Sequence, residues 1–168
     1  ATIADLAALR SEGWDIDIAA HRRRGGAVLG LCGGYQMLGR TIADPDGIEG
    51  PPAIVPGLGL LDVATVMTGD KVTLPVTGRD AASGAAVTGY EIHMGRTSGA
   101  DCARPFLDLG GRPDGARSVD GGVVGTYVHG VFASDGFRRG FLEGLGATAS
   151  GLDYERSVED ALDALAAH

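Results

Sequence analysis

With 168 residues, 44% hydrophobic and 21% charged, the chain has the size and balance of one globular domain with a real core. With a net charge of −8, polyanion binding would need a basic stripe, and the only basic cluster, His21-Arg22-Arg23-Arg24, reads as a solvated helix C-terminus, where cations complement the dipole, ahead of a nucleic-acid contact. No apolar run nears the roughly 20 residues of a membrane-spanning helix, no signal-peptide pattern is seen, and two cysteines, Cys32 and Cys102, make neither a disulfide scaffold nor a Cys-rich zinc site, so a reducing, cytoplasmic setting is expected.

From Thr2 to Arg24 the apolar spacing predicts helix, broken near Gly13 into two short pieces, with Asp15 as a cap. Gly25-Gly26 end it. Ala27 to Leu31 is a short continuous apolar run, which fits a parallel strand covered on both faces. Cys32-Gly33-Gly34 follows as a tight turn, then one or two helical turns through Gly39. Thr41 to Gly57, rich in Pro, Gly and Asp, reads as loop. Strands are predicted over Leu60 to Met67, Lys71 to Val76, Val87 to Arg96 and Val123 to Val128, the last ending at His129. Thr97 to Gly122 reads mostly as loop. Helices are predicted over Phe137 to Leu145 and Glu155 to His168, with Val158, Leu162 and Leu165 on one face of the second. Helix, strand, turn and helix in this order point to an α/β protein.

The strongest chemical signal is Gly30-Leu31-Cys32-Gly33-Gly34, a G-x-C-x-G string after a predicted strand and before a helix. That is the cysteine form of a nucleophile elbow. Such a turn strains the nucleophile's backbone, and glycines on both sides relieve the crowding. The helix N-terminus is expected to lower the thiol pKa. The Gly33 N–H is placed to bind an oxyanion. Taken alone, Cys32 is equally well a small core residue after a buried strand.

Two further residues favour catalysis. Gln36 lies one helical turn beyond Cys32 on the same face and can reach a substrate held there. His129 also follows a strand directly, and strand C-termini of an open α/β sheet gather at one edge. A thiol and an imidazole meeting at that edge form a pair able to attack an acyl group and to protonate a leaving amine. The third cluster is Gly89-Tyr90-Glu91-Ile92-His93-Met94-Gly95. Alternation places Glu91 and His93 on one face and Tyr90 and Ile92 on the other. A Glu–His pair can bind a metal, orient a base or simply be structural. Cys102, in a loop-like region, reads as incidental.

Gly30-x-Cys32-x-Gly34-x-Gln36 resembles the nucleophile motif of the class I (triad) glutamine amidotransferases. Leu31 to Gly39, Gly89 to Gly95 and Gly125 to Phe132 are similar to the branch of that family that serves cobalamin synthesis. The resemblance implies a flavodoxin-like α/β fold over residues 1–168, without its first strand or strands. It implies a Cys32 nucleophile, His129 as base and acid, Gly33 as oxyanion donor, and a substrate site drawn from Gln36, Tyr90, Glu91 and His93. It implies no metal or cofactor in this domain, with ATP and Mg used by an N-terminal synthase domain of the same polypeptide. Ammonia from glutamine would there amidate a corrinoid acceptor, adenosylcobyrinic acid a,c-diamide. Most triad enzymes carry Glu two residues after the His; here the position is Val131, which leaves a Cys–His dyad with Glu91 as a candidate orienting group. The amidotransferase branch of cell-wall isoglutaminyl synthesis has a similar cysteine motif. A cysteine amidase or peptidase, and a non-catalytic module of the same fold, are the alternatives outside this family.

Overall fold

The computed structural model describes residues 2–167. Helix α1 (Thr2–Ser11) and helix α2 (Trp14–Arg23) are separated at Gly13, whose left-handed φ of 77° turns the chain between them. Gly13, rather than Asp15, sits at the start of α2, and no side chain caps it. The basic cluster does end α2, and Arg22 pairs with Asp120.

Strand β1 (Val28–Leu31) leads into Cys32 and helix α3 (Gly33–Leu38). Strands β2 (Thr41–Asp44) and β3 (Ala53–Pro56) pair antiparallel where loop was expected. Their connection is Pro- and Gly-rich, which hid the strands. The buried carboxylate of Asp44 closes it by accepting from the Ile48 and Glu49 N–H groups at 2.8 Å each. Strand β4 (Ala64–Val66) is the only regular part of the run from Leu60 to Met67. Strand β5 (Val72–Asp80) pairs from Val72 to Arg79 with β6 (Ala86–His93). The chain then breaks at Gly95, φ 90°, and β7 (Arg96–Ser98) joins another sheet. Short strands β8 (Leu107–Asp108), β9 (Pro113–Asp114) and β10 (Ala116–Arg117) punctuate the next stretch.

The predicted strand from Val123 to His129 is two strands. Strand β11 (Val123–Thr126) and strand β12 (Val128–His129) belong to different sheets. Helix α4 (Asp135–Gly144) and helix α5 (Tyr154–Ala166) close the chain, and His168 lies outside the described residues. Val158, Leu162 and Leu165 of α5 are exposed.

Three sheets result, ordered β1-β11-β10, β12-β6-β5-β8-β9 and β3-β2-β4-β7. The parallel pair β1–β11 is the α/β element read from the sequence. Its centre is β11, buried on both faces. Val123 packs into a cluster with Tyr35, Leu38, Leu61, Val63 and Tyr127. Val124, pointing the other way, joins Val87, Phe106, Val128, Val131 and Phe137. Strand β1 is less covered than expected: Leu31 is exposed. A third cluster seats Leu6 of α1 on Ile42 and Met67.

The elbow is packed on one side only. A Cβ at Gly30 would lie 2.6 Å from Leu38 Cδ1 and 2.7 Å from the Tyr35 backbone nitrogen, whereas one at Gly34 would meet nothing within 4 Å. Gly30→Ala is therefore expected to destabilise by about 1–3 kcal/mol through overpacking. Gly34→Ala, in a helix with open space, should hold or raise the midpoint. Thermal melts of both variants check this; equal midpoints would mean that strand and helix do not meet this closely.

Candidate active site

Cys32 has φ 53° and ψ −115°, and among the described residues it is the only non-glycine with positive φ. A side chain in that conformation is strained and must be held by its surroundings. The holding is visible on both sides. The Cys32 N–H donates to Thr126 O at 2.9 Å, so β1 and β11 end together, and the Gln36 N–H donates to Cys32 O as α3 begins. The sulfur is turned away from the helix body toward β6.

There the Cys32 thiol donates to the carbonyl of Ile92 at 3.2 Å. His129 Nε2 donates to the same carbonyl at 3.3 Å. Sulfur and imidazole thus share one acceptor, and their separation cannot exceed the sum of those two contacts. His129 arrives by the sheet switch at Tyr127: β11 stays with β1, and β12 crosses to β6 with Val128 opposite Glu91 and His129 opposite Tyr90. The half-exposed Tyr90 ring stacks on the His129 imidazole, with centroids 5.3 Å apart and an interplanar angle of 6°.

Burial pushes the Cys32 thiol up from its ordinary value, and the Gly33 N–H beside it pulls the other way. This reverses the expected direction. A helix of six residues offers one N–H to the sulfur, and that does not offset desolvation. That direction agrees with a thiol that donates to a carbonyl.

Gln36 is buried, and both ends of its amide are occupied. Its Nε2 donates to Met94 O at 2.9 Å and to the Tyr127 hydroxyl at 3.3 Å, and its Oε1 accepts from Thr2 at 2.8 Å. Tyr127 continues this buried chain to Thr97 at 2.5 Å, and Thr97 to Thr65 at 2.7 Å. Gln36 thereby ties the elbow helix to the strands around it.

Glu91 and His93 do share a face, as alternation requires, and Glu91 accepts from His93 Nε2 at 2.9 Å. Glu91 turns to Arg112, at 2.5 Å and 3.3 Å, and not to His129. The reason is the pleat: Glu91 and His129 lie at adjacent register positions of the β6–β12 pair, so their side chains leave opposite faces. His93 Nδ1 lies 3.1 Å from Gly95 O, and its ring stacks on Tyr127 with centroids 3.8 Å apart. On this side of β6 opens a cavity of about 360 Å³, lined by Glu91, His93, Arg112, Asp114, Tyr35 and Tyr127. Neither Cys32 nor His129 lines it. Cys102 borders the same cavity beside the Tyr35 hydroxyl, 3.8 Å away.

Burial alone would push the Glu91 carboxyl up; Arg112 and His93 outweigh it and hold the group below the usual carboxylate range. Stability drawn from this charge is full above the unfolded glutamate value and is lost as pH falls through the lower folded value. Glu91→Gln is expected to lower the thermal midpoint at neutral pH, and the gap to wild type should close in acid. The cost stays below the roughly 3–5 kcal/mol of breaking a fully buried pair, because Arg112 is half exposed and can turn to water. Asp114 titrates in the opposite sense, since burial pushes its carboxyl up despite the Thr126 hydroxyl, so the variant must be read against wild type at each pH. A gap that does not change with pH would show that Glu91 carries no such charge.

Sequence reasoning missed the Ile92 carbonyl, Arg112 and Thr2. A main-chain carbonyl has no sequence signal. Arg112 follows Gly110-Gly111 in what reads as a loop, and the β8–β9 turn alone brings it to Glu91.

The CobB/CobQ-like glutamine amidotransferase domain matches residues 1–137, a span that contains Cys32, Glu91 and His129. Over 99% of its length the chain is 64% identical to a cobyric acid synthase of Cereibacter sphaeroides, 63% to one of Rhodobacter capsulatus and 61% to one of Methylocella silvestris. It spans about 35% of the length of each of these relatives. By motif, site and match, the chain belongs to the CobB/CobQ-like glutamine amidotransferase domain family.

Proposed function

We propose that this domain hydrolyses glutamine through a Cys32–His129 dyad and that it does so as the ammonia-supplying part of a cobyric acid synthase. The observation that carries the dyad is the Ile92 carbonyl contacted by both Cys32 Sγ, at 3.2 Å, and His129 Nε2, at 3.3 Å. For the proton transfer the imidazole gives up its Nε2–H bond to Ile92 O and takes the tautomer protonated on Nδ1, while the thiol rotates off the same carbonyl and passes its proton to the freed Nε2 lone pair. The thiolate then attacks the glutamine carboxamide carbon. The Gly33 N–H, already beside the sulfur, receives the oxyanion. His129 returns the proton to the leaving nitrogen, ammonia departs, and a thioester remains on Cys32. Water attacks that thioester with His129 again as base, releasing glutamate and the thiol.

Raised thiol pKa and strained backbone suit this scheme. With burial raising the thiol's pKa, the thiolate is made by passing its proton to His129. Glutamine is held beside the half-exposed Tyr90, while Gln36, Glu91 and His93 shape the site from behind through Met94, Gly95 and Tyr127.

The corrinoid assignment rests on the high identity to cobyric acid synthases along nearly the whole chain. On this reading residues 1–168 form one amidotransferase domain, free of cofactor, joined to an N-terminal domain that uses ATP and Mg and works in the cytoplasm. Ammonia passes to that domain and amidates adenosylcobyrinic acid a,c-diamide. The decisive assay gives the full-length polypeptide glutamine, ATP, Mg and that corrinoid. Amidated corrinoid formed with wild type, and lost in Cys32→Ala unless free ammonia is added, supports the proposal. Amidation of a lipid-linked cell-wall precursor in place of the corrinoid would move the chain to the isoglutaminyl branch.

A further inference from the structure

We infer that Tyr90 is the positioning residue of His129, its ring doing what a carboxylate does in a triad; this inference rests on the dyad proposed above. A catalytic imidazole must be held in one plane, and a hydrogen bond to its second nitrogen is the usual means. His129 lacks that bond: among the described residues its polar contact is Nε2 to Ile92 O, and Nδ1 has no partner. The position two residues on is Val131, which is buried in the apolar cluster with Phe106 and Phe137 and offers no acceptor. Glu91 leaves by the other face of β6 and is held by Arg112 and His93.

What the ring does touch is Tyr90. The two are direct register partners across β6 and β12, and their planes lie within 6° of parallel at 5.3 Å. Backbone approach makes this contact possible. Gly89 sits against the His129 carbonyl so closely that a Cβ there would collide with it, 2.1 Å from the oxygen. The Tyr90 hydroxyl makes no hydrogen bond among the described residues, so the flat face is the part that acts. A π-face parallel to the imidazole restricts tilt about the ring plane and favours the cation formed when His129 takes the thiol proton.

The stack separates kinetically from a role in holding glutamine. In the full-length polypeptide, Tyr90→Leu is expected to lower kcat for glutamate release about 10- to 100-fold, the scale of a misplaced catalytic group. Tyr90→Phe, which keeps the face and loses the hydroxyl, should restore turnover close to wild type. A kcat loss of this size with rescue by Phe supports positioning whatever KM does. A rise in KM with kcat held, or equal losses in Leu and Phe, overturns it. Tyr90 is half exposed and outside the apolar clusters, so Tyr90→Leu should melt with wild type; if it does not, Tyr90→Thr replaces it as a strand-compatible variant without a ring. Cys32→Ala in the same series keeps the two failures apart. Turnover surviving in Cys32→Ala sinks the dyad itself, whereas a silent Cys32→Ala beside a fully active Tyr90→Leu sinks only the stack.

Discussion

Cys32→Ala is expected to lower glutamine hydrolysis by at least about 10⁴-fold, the scale on which removal of a covalent nucleophile is felt. The loss should come without a loss of fold. Cys32 is half buried, its side chain makes one hydrogen bond, and its alanine replacement removes only a sulfur from a turn held by backbone bonds to Thr126 and Gln36. A positive φ remains strained with Ala, so a small drop in thermal midpoint is expected and a large one is not. The companion measurement is covalent: a glutamine-like diazoketone should label wild type at Cys32, located by peptide mass, and leave Cys32→Ala unmodified. Labelling at Cys102 in place of Cys32 would overturn the assignment. That cysteine sits beside the Tyr35 hydroxyl, on the far side of β6 from His129.

The second large effect separates His129, expected from the sequence as the base, from His93, expected in the substrate site. His129→Ala is expected to lower turnover by about 10²–10⁴-fold, the usual contribution of a general acid–base group. His93→Ala should lose far less turnover and more stability. His93 bridges Glu91 and the Gly95 carbonyl and stacks on Tyr127, so its removal strips a partner from a buried carboxylate and a face from a buried ring. Steady-state kinetics beside thermal melts read the contrast. Turnover lost equally in both variants, at equal stability, would remove the reason for choosing His129 as the base.

Much of this arrangement was legible beforehand. Gly30-x-Cys32-x-Gly34 announced a strand-to-helix turn with a nucleophile at its apex, and the turn is there with Cys32 at φ 53°. The break at Gly13 and the alternation of Glu91 with His93 were also readable, because each is a matter of local geometry. Where several weak signals overlapped, the reading failed. Thr41 to Gly57 looked like loop, yet β2 and β3 pair within it, since a buried Asp44 closes the connection. The run from Val123 to His129 looked like one strand, since period-two patterning is blind to which sheet a residue joins.

The amino-acid order by itself determined the family, the elbow and the two side chains proposed here to react, because these depend on residue type and on spacing of a few positions. Tertiary structure decided what surrounds them. It split one strand between two sheets, so that His129 reaches the sulfur's side of β6 and Glu91 does not. It set the Ile92 carbonyl between thiol and imidazole, buried Gln36 in a chain of hydroxyls, and raised the thiol's pKa where a helix N-terminus alone would have lowered it. Desolvation, pleat direction and main-chain contacts are sums over residues distant along the chain, and such sums exist only once the chain has folded.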